Sequence, residues 1–154
     1  RTVCKDEGKT PLRIVIALLV LIIGLMAYVR LAPTDIAKWH QMPVGTTPGD
    51  TTETGGFRAV RSITVPGAEV LEAVLQQALT TPRTVLLAGD VDEGMMTFQT
   101  RSGIWSFPDH TTVAVQDDLL IIYGRLRFGS ADLGVNRMRI EGWLEALAPL
   151  TRPL

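Results

Sequence analysis

Residues 119–128, LLIIYGRLRF, are the stretch that specifies most of the fold. Side chains of a β-strand alternate between the two faces of its sheet. One face of this stretch, which includes Gly124, carries large apolar side chains: Leu120, Ile122, Leu126 and Phe128. The opposite face carries polar ones: Tyr123, Arg125 and Arg127. We therefore predict a long strand with one face in a hydrophobic core and one polar face.

The neighbouring segments extend this pattern into a sheet. Residues 95–102 alternate in the same way, with Gln99 and Arg101 opposite Met96 and Phe98. Further strands are predicted at 57–64, 83–88 and 111–116, and apolar residues at helical spacing predict helices after Pro66 and around Trp143. The resulting order, β-α-β-β-β-β-α, favours an α+β class with a mostly antiparallel sheet and both helices on one face. The second face is then open, or covered by the membrane-proximal segment or by a partner.

Residues 14–29, IVIALLVLIIGLMAYV, are sixteen consecutive uncharged and mostly apolar residues. As a helix they cover about 24 Å, and a bilayer core is about 30 Å thick. Flanking apolar residues and the aliphatic stems of Arg13 and Arg30 make up the difference. We predict an uncleaved transmembrane helix over residues 12–32, with Tyr28 and Trp39 in the aromatic belt of the membrane. A cleaved signal peptide is the alternative, because basic residues precede the segment.

The charge is divided unevenly between the two parts of the chain. Residues 1–32 hold five basic and two acidic residues, a net +3, and the remainder holds ten basic and fourteen acidic, a net −4. The basic flank favours a cytoplasmic N-terminus, a span in the inner (cytoplasmic) membrane and a periplasmic domain. A domain of net −4 lacks the basic footprint of nucleic-acid binding, so no nucleic-acid partner is expected.

Four regions follow from these patterns: an N-terminal tail (1–11), the transmembrane helix (12–32), a collar and linker (33–56) and the α+β domain (57–154). In the collar, Thr34 is the predicted N-cap of a short helix that runs to about His40. The Gly-, Thr- and Pro-rich stretch 43–56 is predicted to be a flexible tether between the collar and the domain.

The sequence shows no catalytic or metal-binding signature. One cysteine, Cys4, and two histidines, His40 and His110, give no dense ligand cluster. Asp109 and His110 are neighbours and point in different directions, and no nucleophile elbow accompanies Ser102. Glycine-rich phosphate loops are also missing from the sequence. We expect no cofactor, no metal and no enzymatic activity.

Three arginines are the strongest candidates for binding. Arg101, Arg125 and Arg127 are predicted to converge on the polar sheet face, together with Gln99 and Tyr123. Guanidinium groups bind carboxylates and phosphates through paired hydrogen bonds. The competing interpretation is structural: the arginines would form salt bridges with acids of the domain, namely Asp109, Asp132 or Glu141.

Three segments of the C-terminal half resemble a known family. They are Arg101-Ser102, Phe107-Pro108-Asp109 and residues 125–137, RLRFGSADLGVNR. Together they resemble the domain of unknown function 1499, roughly over residues 57–148, in the membrane-anchored form of alphaproteobacteria. The last run matches through Asp132, Gly134, Asn136 and either Arg137 or Arg139. A cysteine-containing front motif of many members has no counterpart here.

The resemblance implies one folded domain and no established activity. The matched residues suit structural roles, with Asp132 or Asn136 capping the last helix beside Gly134. A buried pair between Asp132 and an arginine would fix that helix to the sheet, and Asp109 and Arg137 are assigned structural roles as well.

Two hypotheses for the function remain open. The first is a non-enzymatic accessory or assembly subunit of a bacterial inner-membrane complex. It would dock through its span, where Gly24 and Ala27 form a small-residue notch, and through the arginine-bearing sheet face. The second is a membrane-anchored binding module for a small anion or an anionic lipid headgroup.

Overall fold

A computed structural model describes residues 9–44, 47–103, 105–130 and 133–152. The chain divides into two compact units, the first ending at Pro33 and the second covering Thr34–Leu154. The first unit is helix α1 (Lys9–Leu31). Within it, Pro11–Leu31 has a mean hydropathy of 2.7, so α1 is long and apolar enough to cross a membrane. That length and composition fit a membrane anchor and also a signal sequence.

The second unit is a six-stranded antiparallel sheet with helices. Its strands are β1 (Gly49–Glu53), β2 (Gly56–Ser62), β3 (Thr84–Asp90), β4 (Met95–Arg101), β5 (Pro108–Gln116) and β6 (Leu119–Leu126). Its helices are α2 (Ile36–Trp39), α3 (Gly67–Thr80) and α4 (Val135–Ala146), followed by a 3-10 turn at Ala148–Leu150. The strands lie in the order β1-β2-β6-β5-β4-β3. This architecture confirms the predicted α+β class.

The predicted alternation in β6 holds. The strand lies at the centre of the sheet. β6 pairs with β2 on one side and β5 on the other. Leu120 and Ile122 lie in the core between the sheet and the helices. Ile121 points to the other face and is also fully buried. The second face of the central sheet is therefore covered as well.

Helices α3 and α4 form the core with the first face of the sheet. Val70, Leu71 and Val74 of α3 are buried there, in agreement with their helical spacing. From α4, Trp143 meets the ring of Phe98 edge to face, with 5.8 Å between the ring centroids. The indole N–H of Trp143 donates to the hydroxyl of Thr81, 2.8 Å away, so its one polar atom is satisfied.

Two local predictions need correction. The stretch predicted as a tether contains the edge strand β1, whose middle residues are exposed and carry no hydrophobic signal. The short helix α2 has Asp35 as its N-cap in place of Thr34; the Asp35 carboxylate accepts the backbone N–H of Lys38 at 3.4 Å. The side chain of Thr34 binds the sheet instead.

Replacing Gly124 by alanine should destabilise the domain. A Cβ at this position would lie 2.9 Å from Oδ1 of Asn136 and 3.1 Å from Cδ1 of Ile140, both in α4. We expect the free energy of unfolding to fall by about 1–3 kcal/mol through overpacking, measured by urea unfolding in detergent.

Gly142 is the matched control, because a Cβ there would meet no atom within 4 Å on the exposed side of α4. Gly142→Ala should raise stability by about 0.5–1 kcal/mol, the difference in helix propensity. Equal effects of the two substitutions would contradict the close approach of α4 to β6.

Candidate functional site

The second face of the sheet is covered by residues 34–44, which we call the collar segment. Trp39 is 8% exposed and stacks on His110 of β5, with ring centroids 4.2 Å apart and planes at 19°. Trp39 therefore lies on the sheet, so the prediction that it belongs to a membrane aromatic belt is wrong. From the sequence, the second face is expected to be open or to be covered by the membrane-proximal segment or a partner. The membrane-proximal segment of the chain itself is the covering observed.

Arg125 is the main contact between the sheet and the collar segment. Its Nη2 donates to the carbonyl oxygen of Trp39 and to the hydroxyl of Thr112, both at 2.7 Å. The Thr112 hydroxyl in turn donates to the same carbonyl at 3.0 Å. The guanidinium carbon lies 5.2 Å from the ring centroid of Trp39 and 4.9 Å from that of Tyr123, within range of cation–π attraction.

The other predicted binding residues are also engaged within the domain. Arg127 Nη1 and Gln99 Nε2 both donate to the hydroxyl of Thr34, at 2.9 and 3.2 Å. Arg101 instead donates to the carbonyl of Ser106 at 3.1 Å, in the loop that follows β4. The structure thus brings Arg125, Arg127 and Gln99 together beneath the collar segment. Arg101 instead stabilises the loop that follows its own strand.

Tyr123 lies at the margin of the covered face and binds an acid. Its hydroxyl donates to Oε2 of Glu53 at 2.6 Å. Burial, followed by this hydrogen bond and the charge of Glu53, raises the pKa of Tyr123. Tyr123, Glu53, Arg58 and Arg125 line part of a cavity of about 280 Å³ beneath residues 41–44. The cavity has mixed charge, since Arg58 and Glu53 are 3.5 Å apart.

His110 is held as a neutral, buried group. It is 0% exposed, and its Nε2 lies 3.3 Å from Nε2 of Gln99. Burial, followed by the charges of Arg127, Arg125 and Arg101, lowers the pKa of His110 from 6.5 to about 4. The imidazole is therefore uncharged near neutral pH and covered by the Trp39 ring. Ser102 does not approach it as a nucleophile; its hydroxyl accepts the backbone N–H of Phe107 at 2.9 Å.

Asp109 and Asn136, two residues of the family motif, lie on the opposite, helix-covered face. Arg139 of α4 donates to Asp109 at 3.2 Å and to Oδ1 of the fully buried Asn136 at 2.9 Å. Gly134 precedes α4 with a φ of +79°, a conformation that favours glycine. These contacts place Asp109, Gly134 and Asn136 in structural positions.

Arg137, one of the two arginines that fit the motif, does not take part in this buried network. Its side chain is 56% exposed and pairs with Glu141, one helical turn away. Arg139 makes the buried pair with Asp109 instead. Asp132 lies outside the described residues, and so do its predicted capping and pairing roles.

Sequence reasoning missed four residues of the covered face: His40, Glu53, Arg58 and, as a site residue, Trp39. His40 contacts the Thr97 hydroxyl at 2.9 Å and the Glu93 carboxylate at 2.8 Å. Trp39, His40 and Glu53 belong to segments without a periodic apolar pattern, so no local signal marks them. Arg58 lies in the predicted strand 57–64, whose pattern gives no sign of a contact with the collar segment. Among the residues that the structure describes, no three His, Cys, Asp or Glu side chains are grouped to hold a metal ion.

The fold and this face define a class: a small α+β domain behind an apolar N-terminal helix, with the connecting collar segment packed on the sheet. Residues 50–147, more than half of the chain, match the family described as protein of unknown function (DUF1499). The chain belongs to this family, which confirms the predicted resemblance. The match begins within β1. No curated protein matches the chain.

Arg125→Ala should destabilise the domain by about 2–3 kcal/mol, because it removes charge-assisted hydrogen bonds and leaves the Trp39 carbonyl with fewer partners. Urea unfolding in detergent measures the change. Arg137→Ala is the matched control and should leave the stability almost unchanged, as expected for an exposed pair one helical turn apart. A similar small loss for Arg125→Ala would argue against its role in holding the collar segment.

Stability should also depend on pH through His110. The unfolded chain binds a proton near pH 6.5, whereas the folded domain binds it only near pH 4. The contribution of neutral His110 is therefore complete above pH 6.5 and is lost as the pH falls towards 4, by on the order of 3 kcal/mol in total.

Urea midpoints between about pH 7 and about pH 5 test this dependence. The folded chain should lose stability steadily over this window, and His110→Gln should lose much less. An unchanged slope in the variant would show that other groups cause the pH dependence.

Proposed function

We propose that this protein is a non-enzymatic accessory or assembly subunit of a bacterial inner-membrane protein complex. Helix α1 serves as a single-pass anchor, and the basic residues before it favour a periplasmic domain. The observation that carries the proposal is the clamp of Arg125 and Thr112 on the carbonyl oxygen of Trp39.

The clamp and the neighbouring contacts to Thr34 support a docking role, because together they fix the residue at which the domain begins. Thr34 is held on the sheet by Arg127 and Gln99. The domain therefore starts three residues after the end of α1 at Leu31. A short connection suits a subunit whose span and domain engage one assembly, whereas a long flexible tether would suit independent binding events.

The chemistry of the covered face supports a non-enzymatic role. His110 is buried and has a pKa of about 4, so it is poorly suited to proton transfer near neutral pH. Arg125 and Arg127 bind the collar segment, so they are engaged before any ligand arrives. The polar groups that resembled a site from sequence serve mainly to hold the fold together.

The span offers a place for a partner helix. A Cβ added at Gly24 would meet no atom within 4 Å, so the backbone of α1 is accessible at that point. Small residues allow close helix–helix approach in membranes, and Ala27 lies one turn further along. With the arginine face covered, the span becomes the better candidate for lateral docking.

The second candidate, a binding module for a small anion or an anionic headgroup, has one observation in its favour. The cavity of about 280 Å³ beside the collar segment has Arg58, Tyr123 and Arg125 in its lining. Glu53 also lines it and would repel an anion. The cavity therefore suits a ligand that carries both charges better than a simple anion.

Solubilising native membranes in mild detergent tests the docking role. The protein, captured by a C-terminal tag, should elute within a stoichiometric assembly identified by native size and mass spectrometry. Gly24→Leu should release it from that assembly, because the larger side chain blocks close helix approach.

Met26→Phe is the matched control, since position 26 lies about 200° around the helix from position 24. This variant should stay in the assembly. Elution of the unmodified protein as a lone chain would overturn the proposal. A small zwitterionic or anionic molecule retained in native mass spectra of that lone chain would favour the binding module.

A further inference from the structure

Five exposed apolar side chains lie on segments at one end of the sheet. We call them the apolar rim: Trp105, Phe107, Leu133, Val135 and Met138. Their exposed fractions reach 49% for Trp105, 64% for Met138 and 90% for Leu133. Single exposed apolar residues are ordinary on protein surfaces. Five exposed apolar side chains on two adjoining segments are unusual and require a physical explanation.

Strand pairing places these segments together. Arg101 lies opposite Pro108, and Asp109 lies opposite Leu126, so the β4–β5 loop and the β6–α4 connection leave the same end of the sheet. The rings of Phe107 and Phe128 join the two, with centroids 6.1 Å apart. Thr34 lies at this end as well, because Arg127, the residue after β6, binds its hydroxyl.

The backbone at two points of these segments is unusual. Leu133 has a φ of 50°, and Ser106, between Trp105 and Phe107, has a φ of 55°. L-amino acids rarely adopt this left-handed region. A leucine that is 90% exposed in such a conformation contributes little to the core. Strained positions that the fold does not require are candidates for function.

The two ends of the sheet also differ in charge. The turns at the opposite end, residues 90–94 and 117–118, hold five acids and no basic residue: Asp90, Asp92, Glu93, Asp117 and Asp118. By sequence, segments 101–107 and 127–134 hold two arginines and one acid, a net +1. An anionic lipid surface would attract the rim end in preference to the acidic end.

The chain connection between α1 and the rim end of the domain is short. Only Ala32 and Pro33 separate Leu31, the last residue of α1, from Thr34, so Thr34 is three residue steps from the helix. Three residues span about 11 Å at most. We propose that the apolar rim inserts into the headgroup region of the bilayer and holds the domain against the lipid surface. This proposal rests on the proposed function, since it requires α1 to remain as a membrane anchor.

The physics of interfaces supports a lipid surface as the occupant. Tryptophan and phenylalanine with flanking arginines are the residues that anchor proteins at the level of the headgroups. The rim combines Trp105 and Phe107 with Arg101, whose guanidinium binds the Ser106 carbonyl inside the same loop.

Spin labels on the full chain in nanodiscs of phosphatidylcholine and phosphatidylglycerol test the insertion. In a Cys4→Ser background, one cysteine is placed at Leu133, at Asp92 as the matched control, or at Leu21 in α1. Both Leu133 and Asp92 are exposed in the structure, so labels at these positions should leave the fold intact. The rates of collision with oxygen and with a water-soluble nickel complex report the depth of each label.

The label at Leu133→Cys should collide more with oxygen than with the nickel complex, and the label at Asp92→Cys should do the reverse. If the Leu21→Cys label lies in lipid while the Leu133→Cys label behaves as aqueous, the rim proposal fails and the anchor stands. An aqueous Leu21→Cys label would overturn both. Protection of Leu133→Cys from both reagents would show that a second copy of the chain covers the rim, and this too would overturn the lipid proposal.

Discussion

The hydrogen bonds that Arg125 and Thr112 make to the carbonyl oxygen of Trp39 are the contacts on which the second face of the sheet depends. The long helices α3 and α4 cover only one face, yet the central strands are buried on both. Buried polar groups need hydrogen-bond partners. The collar segment supplies many of these and also supplies the indole that lies on His110. Without the collar segment the same polar groups would face water, and the electrostatic interactions among them would be weaker.

Strand β5 links the two faces, because its alternating side chains serve both. Asp109 and Thr111 contact Arg139 on the helix side, at 3.2 and 3.3 Å. His110 and Thr112 contact the collar segment on the other side. Gly124 of the neighbouring strand leaves the space in which Asn136 approaches the sheet. Asp109 and Asn136 of the family motif therefore hold α4 in place, and Arg125 and Arg127 of the same motif hold the collar segment.

In this arrangement the sheet face is covered, and the surfaces around it are exposed. His110 is buried there, and Arg125 and Arg127 both donate to the collar segment. Accessible features among the described residues include the backbone of α1 at Gly24, the mixed-charge cavity beside Tyr123, and the apolar rim.

The sequence by itself determined the features that local periodicity encodes: the apolar helix α1, the alternation in β6, the buried faces of α3 and α4, and membership of the family. Tertiary structure alone decided that β1 is a strand, because an exposed edge strand pairs through its backbone and shows no apolar pattern. It also decided that Arg139 and not Arg137 pairs with Asp109, and that Arg125 binds the collar. Arg125 and Trp39 are 86 residues apart. No local pattern can encode a contact of that range, since it forms only when the strands have brought the two residues together.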